Sequence, residues 1–165
     1  MNDLPSMWRT ELFHPQGVHF PIALLTIGVI FYLFSFLKNK HFSFLKPASI
    51  ALIGLGTITS WIAVFTGDLA YDIIIRDLCD PTMVKDHEVN AFTTAFIFSG
   101  GFIIQLFSQI KNIRFKWKKL INTLIAIIFV TGLSFLLYTG HLGASIVYQQ
   151  AGAVHVPNED CSEFD

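Results

Sequence analysis

Six histidines are the residues of this sequence whose type and spacing could do chemistry, and four of them stand at the edges of long apolar runs. These four are His14, His19, His87 and His141. A neutral imidazole binds haem iron and first-row metal ions, and it also serves as an ordinary hydrogen-bonding group. The four positions are therefore candidate cofactor-binding residues, provided that the fold brings them together.

The apolar runs beside these histidines are long enough to be membrane helices. The 165 residues are 53% hydrophobic and 14% charged, which is typical of an integral membrane protein. A helix crosses a bilayer in roughly 20 residues. We predict an all-α fold, an integral membrane four-helix bundle with up-down-up-down order, as a single domain over 1–165. The predicted helices are 18–37, 48–67, 81–110 and 119–150, followed by an acidic outer tail at 151–165.

The distribution of charge predicts how this bundle is oriented. Two loops, "KNKHFSFLKP" and "KNIRFKWKK", hold eight of the eleven basic residues and no acidic residue. Basic loops stay in the cytoplasm, so both termini and the middle loop are expected to face outward from a bacterial inner membrane. The segment "LAYDIIIRDL" at 69–78 is predicted to be a separate amphipathic helix on that outer surface.

In this topology the four histidines lie at the outward-facing surface of the inner membrane, and helical periodicity predicts that they point into the interior of the bundle. Small or hydroxyl-bearing residues share the helical face of three of them, and such residues mark the packed side of membrane helices. They are Ala23 and Thr26 for His19, then Ala91, Ala95 and Ser99 for His87, and Thr131, Ser134 and Tyr138 for His141. In the second helix the matching face carries Gly56, Ser60, Ala63 and Gly67.

Inward-facing imidazoles on opposed helices predict a haem b site. The first and third helices of an up-down bundle lie diagonally, which makes His19 and His87 the expected axial pair. His141 and His14 would form a second pair or a supporting shell, and Gly140 and Gly143 would let a flat ring approach the backbone. Side chains that could orient the imidazoles are Gln16, Asp86, Glu88, Asn90 and Tyr138.

The leading hypothesis is thus a b-type cytochrome-like subunit that carries electrons between a quinone-linked membrane complex and an outward-facing acceptor such as a c-type cytochrome. An electron-transfer subunit is favoured over a stand-alone enzyme, and no nucleic-acid partner is expected. One alternative is a non-haem copper or zinc site formed by His14, His19, His87 and His141. Another is a non-catalytic structural subunit of a larger complex. Cys79 and Cys161 could form a disulfide or remain two thiols.

Two motifs resemble those of a bacterial family of predicted four-helix integral membrane proteins of unknown function, domain-of-unknown-function family 2231. "HPQGVHFPIALL" resembles the HPxxVHFPxALL signature of that family, and "GHLGASIVYQQAGAV" is similar to its second signature. The resemblance implies a redox neighbourhood, because some members are fused to c-type cytochrome domains. The matching positions are His14, His19, His87, Gly140, His141, Gly143 and Tyr148. The chain departs from the pattern at Gln150, where members often carry histidine.

Overall fold

A computed structural model describes residues 5–37, 40–109 and 115–156, without the side chains of residues 115 and 116. Every regular element in these ranges is helical, which confirms the all-α prediction. Five α-helices follow one another: α1 Phe13–Gly17, α2 His19–Phe34, α3 Leu45–Ile74, α4 Thr82–Phe107 and α5 Phe115–Gln150. Short 3-10 turns precede α1 and α3, at Thr10–Leu12 and Lys40–Phe42. By length and composition, four helical segments of the described ranges could cross a membrane.

The first of these segments begins earlier than residue 18, because its two prolines do not interrupt it. Pro15 and Pro21 are the third residues of α1 and α2, where a helical N–H has no partner in any case. The backbone N–H of Val18 donates to the carbonyl of His14 at 3.0 Å. Helix α2 therefore follows directly on α1, and Pro15 and Pro21 both lie within helices.

The second segment corrects the prediction of a separate surface helix at 69–78. Helix α3 runs without a break to Ile74, and the N–H of Ile75 still donates to the carbonyl of Tyr71 at 3.0 Å. No proline lies between positions 48 and 80, so nothing in the chain forces a helix end near Gly67. The amphipathic part of "LAYDIIIRDL" is the last turns of a membrane helix.

Helix α4 begins at Thr82, one residue later than the predicted start at 81. The Asp80 carboxylate accepts hydrogen bonds from the backbone N–H of Thr82 at 3.0 Å and from its hydroxyl at 2.5 Å. These bonds stabilise the ionised carboxylate and lower the pKa of Asp80 below its ordinary value. Cys79 is exposed, whereas Cys161 and most of the predicted acidic tail lie outside the described residues.

The bundle consists of two helix pairs, α2 with α3 and α4 with α5, joined by smaller α3–α4 and α2–α5 contacts. Glycines allow the close approach within each pair. A Cβ at Gly56 would lie 2.6 Å from the Leu25 side chain, and one at Gly101 would lie 2.7 Å from the Phe129 ring. The core that fills the space between the pairs contains Leu25, Val29, Tyr32, Ile53, Phe98, Ile125 and Phe129. The up-down order across a bilayer and the outward position of both termini stay predictions.

Candidate functional site

His14 reaches from α1 to the neighbouring helix α3. Its Nδ1 lies 2.9 Å from the backbone carbonyl oxygen of Ala63, and the ring is partly buried. The ring lies against Gly67, where an added Cβ would be only 3.1 Å from the imidazole. The face of small residues predicted for α3 therefore supplies a carbonyl acceptor at Ala63 and leaves room for the imidazole ring at Gly67.

His87 makes the equivalent contact from α4 to α5. Its Nδ1 lies 3.0 Å from the backbone carbonyl oxygen of Thr139, and a Cβ at Gly143 would be 3.1 Å from the ring. The Thr139 hydroxyl donates to the carbonyl of Phe135 at 2.8 Å and lies 3.3 Å from the hydroxyl of Thr94. The imidazole of His14 is thus fixed by α1 against α3, and the imidazole of His87 is fixed by α4 against α5.

These contacts determine the tautomer of both rings. A carbonyl oxygen only accepts hydrogen bonds, so Nδ1 of His14 and of His87 must carry a proton, and in the neutral form of each ring Nε2 keeps its lone pair. Within the described residues, neither Nε2 has a hydrogen-bond partner. The ring centroids are 5.8 Å apart with an interplanar angle of 87°. Ligating histidines in metalloproteins are commonly oriented in this way, by Nδ1–H donation to a carbonyl.

A cavity of about 410 Å³, which we call the histidine cavity, lies beside the two rings. Its size is within the range of ligand pockets, and most of its lining is apolar. Charged or ionisable groups among its lining residues are few besides the histidines: Glu11, Asp68, Tyr71, Glu88 and Tyr148. Small residues from three helices make the space near the rings, namely Ala63, Gly67, Ala91, Gly140 and Gly143.

Comparison with known proteins gives the family of this chain. The family model described as "Predicted membrane protein (DUF2231)" matches residues 11–156. The chain belongs to this family. No curated protein and no solved structure matches it. The match spans all five helices and both fixed imidazoles, and it confirms the resemblance inferred from the two motifs as well as the membrane-protein class.

The other two predicted histidines of this DUF2231 chain are placed differently. His19 is exposed at the edge of the histidine cavity, and its Nδ1 lies 3.3 Å from the carbonyl of Gln16, three residues earlier in the chain. His141 is exposed and does not line the cavity. The structure therefore brings together His14 and His87, whereas the expected partner of His87 was His19. Residues 14 and 19 are five apart, which puts them on different faces of a helix.

The outward position of His141 corrects the face assigned to it. Tyr138, Ser134 and Thr131 on the same face are also exposed. The Ser134 hydroxyl donates to the carbonyl of Val130 at 3.1 Å, four residues earlier, so it can face lipid with its donor satisfied. A hydroxyl-bearing stripe is consequently a weaker marker of the packed side than glycine and alanine are. The face assigned to His87 does point inward, with Ala95 fully buried.

The residues proposed as orienting groups have varied roles in this DUF2231 structure. Glu88 lines the cavity and forms an ion pair with Lys85 at 2.8 Å. The Asn90 amide donates to the carbonyl of Asp86 at 2.8 Å, and Tyr138 is 52% exposed. The imidazoles are oriented by the backbone carbonyls of Ala63 and Thr139 in place of side chains. Sequence reasoning could not see these acceptors, because every residue has a carbonyl.

The ligand set available for a bare metal ion is small. In the described part of the chain, no group of three or more His, Cys, Asp or Glu side chains is placed to hold a metal. Two neighbouring imidazoles remain as the potential protein ligands. Gly140, which lines the cavity, has no atom within 4 Å of an added Cβ, so its small size leaves open space there.

Proposed function

We propose that this membrane protein is a b-type cytochrome-like subunit that holds one haem through His14 and His87. The observation that carries the proposal is the pair of imidazoles, one on α1 and one on α4, with ring centroids 5.8 Å apart beside the histidine cavity. Both rings have Nδ1 bound to a backbone carbonyl, which leaves Nε2 as the potential iron ligand. His14 thus takes the place that His19 held in the sequence-based hypothesis.

Haem is favoured over a bare copper or zinc ion by the number of protein ligands. A structural zinc site takes four protein ligands and a catalytic one takes three, whereas a haem iron needs only its axial ligands from the protein. A mainly apolar cavity of about 410 Å³ also suits a flat organic group better than a hydrated ion. The separation of the ring centroids is close to the ~6 Å expected for two imidazoles that share one metal centre with bonds of about 2 Å.

The chain's own residues would orient the ligand and exclude water. The carbonyls of Ala63 and Thr139 hold the imidazoles in one tautomer and increase their basicity as ligands. Buried Ala95 and Phe98 close the core side of α4. A bound haem would supply one-electron chemistry. With the orientation that the basic loops predict, electrons would pass at the outer face of the bacterial inner membrane, between a quinone-linked complex and a c-type cytochrome.

The test is the absorption spectrum of the solubilised full chain expressed in haem-replete cells. The protein should show a Soret band that sharpens and shifts on dithionite reduction. His14→Ala and His87→Ala should each abolish the band. His19→Ala and His141→Ala are the matched controls, since both side chains are exposed, and they should retain it. A colourless wild-type protein would contradict the proposal, and loss of the band in His19→Ala and His87→Ala but not in His14→Ala would restore the original pairing.

Elemental analysis of the same samples separates the alternatives. Stoichiometric copper or zinc in a colourless protein, lost in His14→Ala and His87→Ala, would favour the non-haem site. Absence of iron, copper and zinc together with normal assembly of both variants would favour the structural subunit.

A further inference from the structure

The end of the bundle opposite to the histidine cavity carries positive charge without a carboxylate to balance it. Both basic loops of the sequence lie at this end, and neither contains an acidic residue. Within the described ranges, every Asp and Glu is at position 11 or at a position from 68 to 88, which is the cavity end. An anion that neutralises these lysines must therefore come from outside the described residues.

Two lysines of this end, Lys46 and Lys118, lie at the edge of the buried core. Lys46 is the second residue of α3 and is followed one turn later by Ser49, which is fully buried. Lys118 is the fourth residue of α5 and shares a helical face with Ile125, which is also fully buried. Both lysines are themselves partly buried. Long helical side chains point towards the N-terminus of their helix, so both ammonium groups extend to the same end of the bundle.

These two ammonium groups lack a counter-charge. They are close enough to repel each other. Both ion pairs of the described residues lie at the cavity end of the bundle, so neither lysine has a carboxylate partner in that part of the chain. Like charges that are partly removed from water destabilise each other. An anion placed between them would remove the repulsion, so the arrangement favours a negatively charged ligand.

The surface of α5 beside Lys118 indicates what carries this anion. Trp117 is 50% exposed, and tryptophan is enriched where the hydrocarbon of a membrane meets the headgroups. Leu120 and Leu124 follow on the same helical face and are also exposed, so an apolar stripe continues from Trp117 towards the centre of the membrane. The ammonium groups thus lie at the depth of the lipid phosphates, above a surface that suits an acyl chain. Basic sites between membrane helices on the cytoplasmic side bind acidic lipid headgroups.

We propose that Lys46 and Lys118 bind the phosphate of an anionic phospholipid, whose acyl chain packs along Trp117, Leu120 and Leu124. With the orientation that the basic loops predict, this lipid belongs to the cytoplasmic leaflet. The site lies at the far end of the bundle from the imidazoles and does not depend on haem. Inorganic phosphate has the same charged group, but it lacks the acyl chain.

The first experiment measures which lipid the protein retains. Full-length protein is solubilised in micelles with equal amounts of phosphatidylglycerol and phosphatidylcholine of identical acyl chains, and native mass spectrometry counts the bound lipids. The wild type should prefer phosphatidylglycerol by about 10-fold, the order expected for two lysines beside an anionic headgroup. Replacing both Lys46 and Lys118 by Gln should bring this ratio close to one. Replacing Lys40 and Lys119 by Gln is the matched control, because it removes the same charge from exposed positions, and it should keep most of the preference.

Inorganic phosphate distinguishes the two sources of the anion. Thermal unfolding of the wild type in phosphatidylcholine micelles is compared with and without inorganic phosphate, at an ionic strength kept constant with chloride, and then in phosphatidylglycerol micelles. Phosphatidylglycerol should raise the melting temperature, whereas inorganic phosphate should leave it unchanged. Equal stabilisation by both would assign the site to a soluble phosphate and overturn the lipid proposal.

Lys46→Glu gives a reading that does not depend on the stability of the double variant. A carboxylate at position 46 turns the repulsion with Lys118 into attraction. This variant should therefore melt at a higher temperature than the wild type in phosphatidylcholine micelles, and it should lose the preference for phosphatidylglycerol. The inference is overturned if this variant keeps the preference or if the wild type shows none. It is also overturned if the exposed control loses as much preference as the Lys46 and Lys118 double variant, since the effect would then belong to surface charge in general.

Discussion

The two halves of the bundle use glycine for different purposes. In the packed half, around Phe98 and Phe129, a Cβ at Gly54, Gly56 or Gly101 would lie 2.6–2.8 Å from a neighbouring side chain. In the half that holds the histidine cavity, a Cβ at Gly67 or Gly143 would lie 3.1 Å from an imidazole. Glycine brings helices together in the first half, whereas in the second it makes room for a ring. The same residue type therefore marks packing in one place and a binding site in the other.

The largest effect is expected in the packed half. Gly101→Ala would drive a methyl group against the Phe129 ring at 2.7 Å and against Ile128 at 2.9 Å, so it should lower the free energy of unfolding by about 1–3 kcal/mol. Gly100→Ala is the matched control, since no atom lies within 4 Å of its Cβ, and it should be neutral or slightly stabilising. Thermal unfolding in detergent measures both. Equal effects would show that helix propensity, and not packing, explains Gly101.

The packed half also contains a polar group that weakens it. Gln105 is fully buried, and neither atom of its amide has a partner among the described residues. Gln105→Met keeps a similar shape and removes the unpaired amide, so it should raise the free energy of unfolding by about 1 kcal/mol. Denaturation of the solubilised protein checks this gain. A loss of stability would mean that the amide has an acceptor or a water molecule in the membrane.

A smaller loss of stability, with a clear change at the ligand, is expected near the imidazoles. Gly143→Ala must displace the His87 ring by a few tenths of an ångström, which should change the unfolding free energy by less than about 1 kcal/mol. The same shift should weaken haem retention and alter the reduced spectrum. Gly100→Ala, which meets no neighbour within 4 Å and does not line the cavity, should leave both unchanged. Should Gly143→Ala destabilise the fold as much as Gly101→Ala does, the two halves would not differ as described.

The smallest effect is expected at the start of α4, outside both halves. Because the native pKa of Asp80 is lowered, its hydrogen bonds to Thr82 stabilise the fold above its ordinary pKa and are lost as the pH falls through the lowered value. The melting temperature of the wild type should exceed that of Asp80→Ala near neutral pH, and the difference should shrink as the pH falls below the ordinary pKa of an aspartate carboxyl. A difference that stays constant with pH would assign the effect to helix propensity alone.

Much of the fold could be predicted because a bilayer limits the backbone structures that a membrane-spanning chain can adopt. Four apolar runs of sufficient length, with basic residues in two loops, leave few architectures besides a helical bundle. Helix ends were harder to predict. The first helix was predicted to begin at residue 18, but the helical segment begins earlier, because Pro15 and Pro21 both occupy first-turn positions where proline is tolerated. The end of α3 was placed too early because charged residues near position 70 resemble a surface segment.

The candidate site was predictable in composition but not in pairing. His87, Gly143 and the small face of α3 were identified from spacing, and the structure places them together at the cavity. His14 and His19 could not be distinguished, because their orientation depends on how α1 joins α2 at Val18. His141 was assigned inward through neighbours such as Ser134, whose hydroxyl is satisfied by its own helix.

The attachment of each imidazole to a partner helix has one more consequence. His14 is tied to α3, within the first helix pair, and His87 is tied to α5, within the second. The distance between the rings therefore depends on how the two helix pairs are placed relative to each other, and sliding or tilting of one pair past the other would change it. A molecule bound by both rings would link the two helix pairs. Changes in membrane thickness or lateral pressure that shift the pairs would then change how tightly this molecule binds.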